Sequence, residues 1–510
     1  MATSPSRYDT IVIGSGMGGT SAAALLAKAG LRTLLLEKNP RLGGSCSYYE
    51  KRGFHIDYGT HMFSRGWKGP LGAVQRRLGI PRERRVRFVR TRDIAVLRGQ
   101  GFELAVPSEG WRMPAFCLEA VRLMKVPLRE LPRVTKLFAD IVTMSEAAIA
   151  EWDGRTVEEL LLEYTDNPRL FGALGLLLGL YFILPFWEVS AGEAIWCFQK
   201  MARDNALSYP VGGSYALPRT LCDAAARYGA SIETRAGVRR IEPAADGKLR
   251  VTTSDGRELT ARAVVSTTSR RELADGLCPP GTLPSAWSAR ASATRGSYIA
   301  VQAKIALRRP RERAGCLVGS VARDPGFDPL AITMDDYRVM FADIAAGRVP
   351  KVVPIYCPIP TNFDAALGPP GTQLLTACMV APTTEDGHGT RPIDGWQDSE
   401  RKWIDAMMAA MAALIPGLEA DTLFADTMGV QAIASWIGKR GGPAVSTGQT
   451  PEQSGARRPG VRTPLHGLYV AGDGAGARGV GTELACASGM LCADAVLADL
   501  GGGASAGARS

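Results

Sequence analysis

An α/β fold is predicted, on three observations. Tyr8 to Ile13 is a short apolar run that passes straight into Gly14, Ser15, Gly16, Met17, Gly18 and Gly19. A small-residue helical stretch, Thr20 to Ala29, follows, and then a second apolar run, Thr33 to Leu36, that ends on Glu37. Near the other end, the run from Gly467 to Ala471 again meets a glycine and an acid, Gly472 and Asp473. Strand, glycine turn, helix and strand in that order make the first βαβ unit of a Rossmann-like domain. Later returns to the same domain make it discontinuous, with segments 1–75, 205–275 and 460–500. Residues 76–204 and 276–459 are assigned to an α+β substrate-binding domain with a helical subdomain. A tail at 501–510 is expected to be disordered.

Each part of the first unit has a physical reason. The free N–H groups and dipole of a helix N-terminus favour an anion, so a dinucleotide pyrophosphate belongs at this turn. Gly14 permits the tight turn, Gly16 lets backbone approach phosphate, and Gly19 lets helix and strand pack closely. Glu37, about 20 residues beyond the turn, suits a ribose hydroxyl. The turn alone does not separate NAD from FAD. The chain runs on through Lys38 and Arg41 into a second glycine pair, Gly43 and Gly44, before Ser45. An immediate return to the cofactor suits a long, extended FAD.

The strand-like stretch Phe54 to Asp57 leads to His61. Residues 71–204 read as mostly helical, punctuated by prolines 127, 132, 168 and 185. Leu170 to Trp187 is apolar and uncharged, near the lower length for a membrane span, but glycines and Pro185 interrupt it. A buried substrate-domain helix fits it best, with an apolar channel or a peripheral membrane contact as the main alternative and a true span as the last. A helix is expected over Tyr215–Tyr228, with strands at Ser231–Thr234, Val238–Ile241, Leu249–Thr253, Glu258–Ala261 and Ala263–Thr267. The stretch Gly441–Gly460, rich in Gly, Pro, Ser and Thr, reads as a mobile loop. A helix beginning near Thr482 should run to about Leu500.

With 510 residues, 46% of them apolar, the chain can bury large cores. Its net charge of +10 is partly local: arginines crowd residues 76–92. The favoured reading is a solvated face, with nucleic acid, an anionic membrane surface or an acidic substrate as the alternatives. No nucleic-acid motif accompanies it, so nucleic acid is not an expected partner. The 10 cysteines show no paired spacing and the 4 histidines no finger spacing. Reduced thiols, a cytoplasmic setting and no metal site are expected.

Three groups of residues then carry a resemblance: Gly14 to Gly19 with Glu37, Gly43 and Gly44; Tyr209 to Gly213 with its helix and Val238 to Ile241; and Gly467 to Asp473. Together they resemble the phytoene desaturase and carotenoid isomerase family of FAD-dependent oxidoreductases, within the amine-oxidase-like flavoprotein superfamily. The resemblance implies FAD as cofactor. It implies pyrophosphate contacts from Gly14, Gly16, Gly18 and Gly19, and a ribose contact from Glu37. Lys38, Arg41, Gly43, Gly44 and Ser45 pass near the pyrophosphate and flavin in this reading. Val238 meets the adenine, Gly472 and Asp473 the ribityl region, and the helix N-terminus at Gly481 and Thr482 the flavin ring. Many relatives carry arginine where Ser45 stands, and those with polyene substrates tend to be apolar where Arg478 and Glu483 stand; if these two charged residues face the flavin, they imply a polar group on the substrate.

Flavin chemistry needs a C–H or N–H bond over the ring and often a base. Glu483 is the first candidate base, with a dipole-stabilised helix glutamate as the alternative. His61 is a second candidate. Arg478 is a candidate clamp for a substrate carboxylate, or else one half of a salt bridge. No second dinucleotide fingerprint follows, so electrons are expected to leave to oxygen or a quinone. The leading expectation is desaturation of a largely apolar small molecule. Isomerisation by reduced FAD and amine or alcohol oxidation are the alternatives.

Overall fold

The computed structural model describes residues 7–59, 62–99, 101–123, 125–167, 170, 171, 174, 181–323, 332–382 and 396–506. Two seven-stranded sheets organise it. The first runs through Val238–Pro243, Leu249–Thr253, Glu258–Ser266, Arg7–Ile13, Thr33–Leu36 and Ser231–Glu233, with Leu468–Val470 also paired to Glu258–Ser266. Ile11, Val12, Leu34, Leu35, Val264 and Val265 are wholly inaccessible. Burial on both faces is why these strands read as unbroken apolar runs. One face packs on the helices Met17–Lys28, Ala216–Arg227 and Gly481–Ala506. The other packs on Leu273, Leu283 and Trp287.

Glu258–Ser266 is one nine-residue strand where two were expected. Its first half pairs antiparallel with Leu249–Thr253 and its second half parallel with Leu468–Val470. Arg7–Ile13 lies along its other edge. Arg262, between the two expected runs, is an exposed position within the strand. Through this strand the middle and closing parts of the chain meet the first βαβ unit.

The second sheet has the order Thr422–Met428, Ile299–Leu307, Gln373–Ala381, Val352–Pro358, Cys316–Ala322, Asp93–Gly99 and Phe102–Pro107. All of its pairs are antiparallel except Asp93–Gly99 with Cys316–Ala322. The two strands within 93–107 depart from the helical expectation for residues 71–204. Ile94, Val96 and Leu104 are buried there while Glu103 and Ala105 are exposed, an alternation that belongs to strands. Val301, Ile305, Ile355 and Leu375 share a core with Trp403, Met407 and Met411 of the helix Trp396–Leu414. Phe182, Leu184 and Phe186 of the apolar 170–187 stretch are fully buried in the same core. Residues 172, 173 and 175–180 of that stretch lie outside the described residues.

The stretch 441–460 is not an exposed loop. Val445, Thr447, Gln449, Thr450 and Ser454 are at most 2% exposed. Backbone bonds from Ser297 N to Val445 O (3.0 Å) and from Ser190 N to Gln449 O (2.7 Å) tie it to the approach to strand Ile299–Leu307 and to the start of helix Ala191–Asp204. Its glycines and prolines mark irregular backbone, which buried segments also use when their polar groups are partnered. The closing helix runs on to Ala506, beyond the expected end near Leu500. By length and composition its part Gly481–Gly501 could cross a membrane. Leu484, Cys486, Cys492 and Val496 of that part belong to the core of the first sheet.

Candidate active site

The first glycine turn is packed from behind and open in front. Gly14 has φ of 94°, and a Cβ there would lie 2.2 Å from Thr267 Oγ1. A Cβ on Gly19 would lie 2.0 Å from the Gly14 carbonyl oxygen, so only glycine lets helix and strand meet. At Gly16 a Cβ would meet nothing within 4 Å. That open side faces away from the packing, at the N-terminus of Met17–Lys28, where amides lack helical partners.

Ser15, which the sequence reading passed over, organises this corner. It is fully buried, and its hydroxyl donates to Glu37 Oε2 at 2.6 Å. Its amide donates to the same oxygen at 2.9 Å. The Ser15 hydroxyl in turn accepts from Gly43 N at 2.9 Å. One side chain therefore joins the first turn, the acid and the second glycine pair. Nothing in the local sequence signals this role, because both partners of the hydroxyl lie more than 20 residues away. Glu37 also accepts from Asn39 N at 2.8 Å, and only 4% of the residue is exposed. Gly44 follows closely: a Cβ on it would sit 3.2 Å from Gly16 Cα.

The other expected contacts are spread around this corner. Ala236 N donates to Glu37 O at 2.8 Å and Arg235 N to Asn39 O at 3.1 Å, which brings Val238 beside the Lys38 end. Lys38 Nζ donates to Ser435 O. Arg41 turns away to Tyr48, donating to its carbonyl at 2.8 Å with the guanidinium over its ring. Ser45 O accepts from Gly59 N at 3.1 Å. Trp436 Nε1 donates to Gly44 O at 3.1 Å, and its ring stacks on Tyr58 at 4.3 Å. That stacking leaves no space for a ligand between the two rings. Tyr209 and Ser214, from the middle segment, both donate to the buried Asp57 carboxylate.

The closing segment completes the site. A Cβ on Gly18 would sit 2.8 Å from Gly472 N, so the first helix and the closing turn touch. Asp473 accepts from Lys439 Nζ and from both the amide and hydroxyl of Ser446. Burial alone would raise its carboxyl, but the Lys439 ammonium and these bonds hold it below the usual carboxylate range. A shallow opening beside it is lined by Arg270, Lys439, Arg440 and Ser446 among others.

Arg478 is not free to clamp a ligand. It forms a two-pronged pair with Asp153, at 2.8 and 2.6 Å, and reaches Glu193 at 3.5 Å. Glu193 is fully buried. It also accepts from Gly479 N at 2.5 Å and faces Arg458 at 3.7 Å. This cluster fixes the turn that enters the closing helix at Gly481 and Thr482. Glu483, in the first turn of that helix, is 9% exposed. It accepts from Arg65 N at 2.7 Å and from the Ser64 hydroxyl at 3.2 Å. Tyr181 donates to that hydroxyl at 3.3 Å. Burial pushes the Glu483 carboxyl above its ordinary value, against the lowering effect of the Arg65 amide and charge and of Ser64. His61 lies outside the described residues. Among the described residues, no group of three or more His, Cys, Asp or Glu could hold a metal ion.

A sequence profile of flavin-containing amine oxidoreductases matches residues 17–497. The chain belongs to that family. Its cofactor is FAD. The open face at Gly16, the buried acid Glu37 and the second glycine pair against the first fit such an extended dinucleotide. A chloroplastic prolycopene isomerase of Daucus carota is 24% identical over 520 residues, covering 97% of this chain and 81% of the relative. An all-trans-retinol 13,14-reductase of Homo sapiens is 47% identical over 68 residues, 13% of this chain and 11% of the relative. Among solved structures, an oxidoreductase from Methanosarcina mazei superposes with a TM-score of 0.68 at 20% identity, covering 95% of this chain and 99% of that one. A putrescine oxidase bound to putrescine gives 0.65 at 15% identity, covering 97% and 99%. These likenesses show the shared fold.

Proposed function

We propose that this flavoenzyme is a desaturase: it takes a hydride from a largely apolar, isoprenoid-like substrate and forms a carbon–carbon double bond. Bound FAD supplies the two-electron acceptor for that hydride. The observation that carries the reading is Glu483. It is a buried carboxyl with a raised proton affinity, on the helix N-terminus that the family resemblance points at the flavin. Loss of hydride from one carbon and of a proton from its neighbour leaves the double bond. In this reading Glu483 takes the proton, and the Ser64 and Tyr181 hydroxyls hold the carboxyl in place. Gly14, Gly16, Gly18 and Gly19 line the pyrophosphate, with Glu37 on the ribose and Val238 at the adenine. Gly43, Gly44, Gly472 and Asp473 follow the cofactor toward the flavin. Arg478 acts through Gly479 as a positioning residue, and oxygen or a quinone takes the electrons onward.

The similarity to prolycopene isomerases over nearly the whole chain favours a second reading, a double-bond isomerase that uses reduced FAD without net oxidation. Amine or alcohol oxidation has less support. Arg478 and Glu483 were its arguments for a polar substrate group, and of the two Arg478 is engaged with Asp153 and Glu193. The test is anaerobic mixing of oxidised holoenzyme with isoprenoid polyenes. Desaturation bleaches the flavin and yields a product two hydrogens lighter. A product of unchanged mass, formed only after prereduction, overturns desaturation in favour of isomerisation.

A further inference from the structure

Large exposed apolar side chains concentrate in residues 111–142. Trp111 is 80% exposed, Leu118 51%, Leu128 79% and Phe138 52%. The helix Met113–Leu123 contains no buried residue at all. Helical spacing sets Met113, Cys117 and Val121 on one arc, with Pro114 and Leu118 beside it. In the next helix, Leu131–Thr143, Leu137 is buried while Phe138 and Val142 point outward one turn apart. An apolar surface of this extent is unusual on a face that only water covers.

Basic residues rim this surface. Residues 109–143 hold six Lys or Arg against four Asp or Glu, so the segment is net positive. Arg92, Arg122 and Lys125 are exposed and carry no ion pair among the described residues. Arg129 and Arg133 share a single acid, Glu130, at 3.8 and 3.9 Å. The arginine-rich stretch 76–92 reaches the same place, because Ser108 N and the Arg112 guanidinium both donate to Arg92 O.

We infer that the helical face of residues 111–142 docks on an anionic lipid surface. Apolar side chains enter the acyl boundary there while the cationic rim meets headgroup phosphates. The described aromatic residues Phe171, Phe182 and Phe186 of the 170–187 stretch, by contrast, are core. The face also sits one helix from the candidate site. Leu131–Thr143 packs on Ala191–Asp204, which carries Glu193 and places the Trp196 ring 3.6 Å from where a Gly479 Cβ would be. The inference stands apart from the reaction proposed above.

The test is flotation of the full-length holoenzyme with vesicles of phosphatidylcholine alone and of equal parts phosphatidylcholine and phosphatidylglycerol. Binding to the anionic vesicles, weakened by high salt, is expected. The double variants Leu118→Asp/Leu128→Asp and Arg122→Glu/Lys125→Glu should each lower that binding about tenfold or more while keeping bound flavin. Absence of wild-type binding, or unchanged binding in both variants, overturns the inference. So does a wild-type dimer that Leu118→Asp/Leu128→Asp converts to monomer, since the face would then be a contact between two copies of this chain.

Discussion

Arg478→Met tests whether the charge cluster behind the closing helix is structural. The substitution keeps an apolar stem of similar length and deletes the bonds to Asp153 and the contact with Glu193. The Asp153 side chain is 7% exposed and the Glu193 side chain 0%, so water cannot easily replace the lost cation. Removing one partner of a buried pair typically costs 3–5 kcal/mol. Arg478 is itself 19% exposed, which places the expected loss near the lower end, about 3 kcal/mol. The assay is urea unfolding at fixed, saturating FAD, followed by tryptophan fluorescence and by flavin release. Adding Asp153→Asn removes one of the stranded charges, so the double variant should recover part of the loss. A loss below about 1 kcal/mol, the size of a surface pair, would refute the reasoning.

Glu483→Gln should change the pH dependence of stability in a defined direction. The folded carboxyl has a raised pKa, so its favourable contribution is complete below the unfolded value near 4.5 and is lost as pH rises through the folded pKa. Relative to wild type, the variant should gain stability with rising pH in urea titrations, and a parallel pair of curves would contradict this. Lys304 is fully buried, donates to Tyr58 O at 3.0 Å and is pushed down by burial to about 8. A lowered lysine pKa gives stability that rises with pH between about 8 and 10.5, by up to about 3 kcal/mol. Lys304→Met should abolish that rise, as thermal melts across the window would show. Ser15→Ala strands Gly43 N–H and removes one donor to Glu37, a loss of about 1–3 kcal/mol. FAD retention measured by dialysis should weaken by about tenfold or more, and unchanged retention would remove Ser15 from the site.

The parts legible in the sequence were those specified locally. The turn from Gly14 to Gly19 is dictated by backbone geometry within a few residues, and Glu37 by the length of one βαβ unit. The closing run into Gly472 and Asp473 announced itself in the same way. What was not legible depends on partners far along the chain. Asp153, Glu193, Arg458 and Arg478 form one cluster from four distant segments, and no local pattern links them. Ser15 looks like an ordinary turn residue until Glu37 and Gly43 fold around it. The stretch 441–460 has loop composition, but it is buried through bonds to Ser190, Ser297 and Asp473, all distant in sequence. The second sheet brings residues 93–107 beside 316–322, a pairing that spacing alone cannot specify.

The central claim is that three distant segments assemble one FAD cradle on the Gly14–Gly19 turn. Its most direct measurement is the identity and stoichiometry of flavin released from purified wild type and from Gly19→Val. A Cβ at Gly19 meets the Gly14 carbonyl at 2.0 Å, so the variant cannot keep the turn. The account predicts one FAD per wild-type chain and little or none in the variant, with most of the secondary-structure content kept by circular dichroism. Full FAD occupancy in Gly19→Val would contradict it.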